Sequence, residues 1–85
     1  MNLRANHKVG AITHYYDKIG VAVVELIGTL SKGDTIKVTG SNEFTQEVSS
    51  MQIEHDTIDK ASKGKTIGLR LEQPAKKGDE VFKTE

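Results

Sequence analysis

Apolar and polar side chains alternate along this chain in six short runs, and no stretch carries the repeat of a helix longer than one turn. The most informative run is residues 19–39, IGVAVVELIGTLSKGDTIKVT. Ala22, Val24 and Leu26 alternate with Val21, Val23 and Glu25, and β-branched residues of this kind favour a pleated, half-buried strand. Gly28 interrupts the run, and a second strand follows in which Ile36 and Val38 alternate with Thr35 and Lys37. Between them Ser31, Lys32, Gly33 and Asp34 supply a tight reversal: Gly33 can take a positive φ and Asp34 can bond the local backbone. The two strands read as one compact hairpin. Its apolar face needs cover from elsewhere, because an isolated pair of strands is marginal in water.

Taken in order, residues 1–7 form a flexible lead-in and residues 8–85 a single domain. Residues 8–16 are the first strand, with Val9, Ala11, Thr13 and Tyr15 on one face and Ile12, His14 and Tyr16 on the other; either face can be the core. Residues 44–54 form a long extended stretch. Phe44, Gln46 and Val48 share one register and Met51 and Ile53 the other, so a bulge or bend is expected near Ser49 and Ser50. Residues 55–63 read as a polar loop with one helical turn through Ile58 and Ala61. Residues 66–72 are a strand with Ile67, Leu69 and Leu71 inward, and residues 80–83 close the chain. Six short strands separated by turns predict an all-β fold, a small closed six-stranded antiparallel barrel, which leaves no unpaired edge.

A turn unit recurs. Lys32-Gly33-Asp34-Thr35-Ile36 and Lys77-Gly78-Asp79-Glu80-Val81 share one pattern, and Lys63-Gly64-Lys65-Thr66-Ile67 is a variant with lysine for aspartate. A reversal into a strand needs a glycine followed by a polar residue, which accounts for the repeat without a ligand.

Composition narrows the functions. An 85-residue chain makes one domain, burying roughly 60 to 65% of its unfolded surface. Twelve basic and twelve acidic residues cancel, so no global field draws the protein to nucleic acid or anionic lipid. The absence of cysteine excludes disulfides, thiolate zinc sites and cysteine nucleophiles, and suits a reducing compartment. No signal-peptide pattern and no run of roughly 18 apolar residues is present, so the expected location is the cytoplasm, away from membranes.

Residues 20–38, with Gly28, the Lys32-Gly33-Asp34 turn and Ile36, resemble the second domain of translational GTPases such as elongation factor Tu and initiation factor two. So does the run Gly64-x-x-Ile67-Gly68-Leu69-x-Leu71 followed by Lys77-Gly78-Asp79-x-Val81. The likeness spans residues 8–83 and rests on glycine and aliphatic positions. It implies a six-stranded Greek-key barrel without the nucleotide-binding domain, and so no GTP hydrolysis. It also implies a non-enzymatic module contacting transfer or ribosomal RNA, the ribosome or a translation protein. A similar barrel occurs at the C-terminus of collagenase-like peptidases and related RNA-modifying enzymes.

Catalytic chemistry finds little support. Gly64-Lys65-Thr66 lacks the glycine a phosphate loop needs at position 59, which is Asp59. His7, His14 and His55 are scattered, with His55-Asp56 the one close pair, too few for a zinc site. No opposed carboxylate pair or serine elbow is legible. No cofactor or metal is expected. Charge is better patterned: Glu43, Glu47, Glu54, Asp56 and Asp59 fall in a stretch without a base, followed by Lys60, Lys63, Lys65, Arg70, Lys76 and Lys77 with Glu72 the one acid among them. If Lys60, Lys63, Lys65 and Arg70 gather on one rim beside Tyr15, Tyr16 and Lys18, they form a small RNA- or partner-binding surface. Otherwise the charges are solvated faces and the tyrosines plug the barrel end. A separate alternative is a protein-interaction domain without nucleic acid, pairing as a weak dimer through Val21 and Val23.

Overall fold

The computed structural model describes residues 7–54 and 56–84. The described chain is all-β and antiparallel. Its ten strands are β1 (His7–Tyr16), β2 (Val21–Leu26), β3 (Leu30–Ser31), β4 (Thr35–Thr39), β5 (Phe44–Glu47), β6 (Met51–Ile53), β7 (Asp56–Ile58), β8 (Lys60–Ala61), β9 (Thr66–Arg70) and β10 (Glu80–Thr84). Eight form one sheet in the order β5-β4-β10-β1-β2-β9-β6-β7, and β3 pairs with β8 in a second. The large sheet curls into an open half-barrel, so the closed six-stranded barrel is corrected to an eight-stranded sheet with two edges.

The curl wraps one core. Val9, Ile12, Ala22, Val24, Leu26, Ile36, Val38, Met51, Ile67, Leu69 and Val81 are buried with Leu30, Phe44, Val48 and Leu71. Inward pairs such as Ala22 with Leu69 and Val24 with Ile67 face each other across β2 and β9. Ile67, Leu69 and Leu71 are the positions that the strand periodicity marks as inward.

Three local readings change. The hairpin over residues 19–39 does not form: β2 lies between β1 and β9, whereas β4 lies between β10 and β5. The Ile27 and Gly28 N–H groups both donate to the Val9 carbonyl (2.7 and 3.2 Å), which ends β2 and sends the chain to another part of the sheet. The first strand is not a simple alternation either. Its pairing shifts between Lys8 and Gly10 and again between Ile12 and His14, and each extra residue exchanges the faces that follow it. Val9, Ile12 and Tyr15 therefore point inward on one strand. Finally, the expected helical turn near Ile58 and Ala61 is replaced by β7 and β8; Ala61 is buried opposite Leu30. The bend expected near Ser49 is present: the 44–54 stretch leaves β4 as β5 and re-enters beside β9 as β6.

The repeated turn has one architecture three times over. In each, the fourth residue's N–H donates to the first residue's carbonyl: Asp34 to Ser31, Lys65 to Ser62 and Asp79 to Lys76, at 3.0, 3.2 and 3.0 Å. The glycine takes a positive φ of 94°, 91° or 97°. Each turn is then clamped on one buried residue, in or just after a strand, by a reciprocal pair of main-chain bonds. Gly33 donates to Val48 and Val48 to Asp34, Gly64 and Lys65 do the same with Leu26, and Gly78 and Asp79 with Ile12. Where the fourth residue is aspartate its carboxylate also accepts from the first N–H, 2.9 Å for both Ser31 to Asp34 and Lys76 to Asp79. Because the Gly64 N–H is committed to Leu26, the turn offers no phosphate cradle there.

Candidate functional site

The structure separates the residues that the sequence groups together. Tyr15 pairs with Ala22 and its half-buried side chain packs on the core, while Tyr16 pairs with Val21 on the outer face and is 49% exposed. The rings of His14 and Tyr16 stand side by side on that face, centroids 4.4 Å apart. Arg70 also pairs with Val21, from β9, so Tyr16, Val21 and Arg70 form one row across the sheet. Lys18 is exposed in the turn after β1. Lys63 and Lys65 belong to the turn clamped on Leu26, at the opposite end of β2, and Lys60 lies on β8 opposite Ser31. The basic segment therefore makes no single rim with the tyrosines. His55 lies outside the described residues, and among those described no group of three or more histidine, aspartate or glutamate side chains could hold a metal.

A different cleft does exist, and it is built by the segment between β9 and β10. Its volume is about 480 Å³, and it is lined by His14, Tyr15 and Asp17 on one side and Pro74, Ala75, Lys76 and Lys77 on the other. A second, smaller hollow of about 290 Å³ lies between Ser41, Asn42 and the same Pro74–Lys76 backbone. The bulge between Ile12 and His14 turns Tyr15 inward towards the first cleft. Lys76 and Lys77, in the first half of the third turn, line it, and both are exposed. Sequence periodicity could not find this cleft, since it depends on the bulge in β1 and on a turn sixty residues away coming to rest against it.

Beneath the cleft sits Asp79, buried at 4% exposure. Its carboxylate accepts from the Ser41 N–H and Oγ–H (3.0 and 2.8 Å) and from the Lys76 N–H (2.9 Å). Burial alone pushes its pKa up, but these hydrogen bonds, with the nearby Lys76 ammonium, more than offset it and hold the carboxyl below its ordinary value. Asn42 Nδ2 adds a bond to the Pro74 carbonyl at 3.3 Å. The turns at 40–42 and 74–79 are thereby joined into one stiff rim.

No family model matches the chain. It is 36% identical over 77 residues to an uncharacterized protease of Methanocaldococcus jannaschii, a match covering 88% of this chain and 19% of that protein. It is 31% identical over 78 residues to a collagenase of Porphyromonas gingivalis, covering 88% of this chain and 22% of the collagenase. The chain thus spans about a fifth of the length of these relatives. Its fold superposes on the crystallised C-terminal domain of a Geobacillus thermoleovorans protein described as a U32 peptidase. There the TM-score is 0.86 at 19% identity, over 93% of each chain.

These findings overturn the assignment to the second domain of translation factors. With it falls the expectation of a non-enzymatic module for RNA, the ribosome or a translation protein, since the relatives are named protease and collagenase. The residues that carried the resemblance, Gly33, Gly78, Ile67 and Leu69, serve the turns and the core. Such positions report a barrel-like fold and say little about what it does. The chain is similar, over 88% of its length, to a domain-sized part of proteins named protease and collagenase, and its fold is that of the C-terminal domain of a U32 peptidase.

Proposed function

We propose that this chain serves peptide-bond hydrolysis as a polypeptide-engaging domain of the U32 peptidase type, presenting extended substrate to a catalytic unit. The observation that carries this reading is the relationship at 31 to 36% identity to proteins named protease and collagenase over 88% of the chain. The one-to-one superposition on a peptidase C-terminal domain supports it. The open curled sheet fits such work, because a rigid β scaffold with a stiff, cleft-bearing rim can hold an extended chain with little ordering cost of its own.

The test is direct. Immobilised chain should retain heat-denatured gelatin or unfolded casein from solution, and joining it to a U32-type catalytic unit should lower KM for such substrates with little change in kcat. Absence of retention, together with an unchanged KM, would dispose of the reading.

A further inference from the structure

Resting on the peptidase-domain reading, we infer that the cleft between Tyr15 and the Lys76–Lys77 pair is a subsite for a carboxylate group of an extended polypeptide. Its volume of about 480 Å³ falls in the range that encloses small ligands or a few residues of a chain. Tyr15, Pro74 and Ala75 supply the apolar surface, and Lys76 and Lys77 supply two ammonium groups at its edge. Neither lysine is in a direct ion pair, although the Lys76 ammonium lies near the Asp79 carboxylate: the ion pairs among the described residues are Lys8 with Glu80, Lys37 with Glu43, and Lys83 with Asp34.

The lysine pair stands on a scaffold fixed in advance. The Lys76 N–H is held by Asp79, the Pro74 carbonyl by Asn42, and the Gly78 N–H by Ile12. Only the lysine side chains have to be ordered when a ligand arrives, which favours binding by a small site.

Charge decides the ligand class. Asp17 lines the same cleft, and the buried Asp79 carboxylate near Lys76 is already taken up by three hydrogen bonds. The two ammonium groups are ion-paired with neither carboxylate and so remain as donors for a single added anion. A polyphosphate backbone gains most from many basic contacts in a row. Here Lys60, Lys63 and Lys65 lie elsewhere on the fold, and the net charge is zero. The geometry therefore suits one carboxylate flanked by uncharged chain. Its source can be an aspartate or glutamate side chain or the terminal carboxylate of a cleaved product.

The experiment is an NMR titration of the chain with three short alanine–glycine peptides. One has a central glutamate and an amidated end, one a free carboxyl terminus, and one neither. The expected result is shifts centred on the amides of Tyr15, Lys76 and Lys77 with at least one acidic peptide, binding about tenfold or more tighter than the neutral peptide. The acidic peptide that binds tells which source is read. Lys77→Ala, and the double change with Lys76→Ala, should weaken binding by a similar factor while the spectrum away from the cleft stays unchanged.

Equal affinity for the neutral peptide, undiminished binding by the variants, or shifts centred elsewhere would overturn the subsite. So would a short oligonucleotide occupying the same lysines more tightly than either acidic peptide. If gelatin is retained while both acidic peptides ignore the cleft, the subsite alone fails. If no polypeptide binds at all, the domain reading fails with it.

Discussion

Gln46 accepts a hydrogen bond from the Glu72 main-chain N–H at 2.7 Å, and its Nε2 donates to the Arg70 carbonyl at 3.0 Å. Here a buried side-chain amide, 5% exposed, does the work of a ladder rung. It ties β5, at one edge of the sheet, to the chain leaving β9, which the sheet order places five strands away. The half-barrel is held in its curl at this point by a side chain where its backbone does not close.

Replacing Gln46 with leucine should therefore destabilise the domain by about 1–3 kcal/mol, because a main-chain donor and acceptor at the closing point of the curl lose their partners. Urea unfolding would measure it. The Gln46→Glu change keeps the acceptor for Glu72 but sets a carboxylate against the Arg70 carbonyl, and should cost at least as much at neutral pH.

Asp79 gives a pH dependence of definite sign. Its folded-state pKa lies below the ordinary carboxylate value, so the ionised form is favoured by folding. The stability it contributes is present above the unfolded-state pKa of about 3.9 and is lost as pH falls through the lower folded value. Asp79→Asn should be about 1–3 kcal/mol less stable than the parent at neutral pH. The gap should narrow as the pH is taken from about 5 down towards 2 in parallel unfolding titrations.

Two glycines should respond differently to alanine. At Gly40, with φ of 128°, a Cβ would overlap the Asp79 carboxylate, whereas at Gly33, with φ of 94°, nothing lies within 4 Å. Gly33→Ala should cost about 1–2 kcal/mol for its backbone alone. Gly40→Ala should cost more, because it also displaces the carboxylate. The order of thermal midpoints checks this.

The middle turn lacks the carboxylate latch of its two counterparts, carrying Lys65 where they have Asp34 and Asp79. Lys65→Asp should supply it to the Ser62 N–H and raise stability by about 0.5–1 kcal/mol. No gain in urea midpoint would mean that the three turns are alike only in their main chain.

The sequence discloses the core and the turns because both are local. Ile36, Val38, Ile67 and Leu69 alternate as buried strand residues must, and Gly33 occupies a position that demands positive φ. What it conceals is long-range. Nothing near Leu26 says that it pairs with Gly10 rather than turning back on residues 35–38, and nothing near His14 announces the extra residue that turns Tyr15 inward. The cleft at Lys76 and Lys77 was hidden for the same reason, and the scatter of Lys60, Lys63, Lys65 and Arg70 follows from a topology that periodicity does not encode. The family likeness misled because the shared glycines and aliphatics belong to the shape.

The position of β10 between β4 and β1 has a bearing on biogenesis. In chain order β10 follows every strand it helps to hold, and it is a central one, bonded to β1 through His7 with Lys83 and to β4 through Thr35 with Thr84. Until β10 emerges, two strands made long before must wait with bare flanks, so the nascent polypeptide has a window of vulnerability that stays open until that strand is in place.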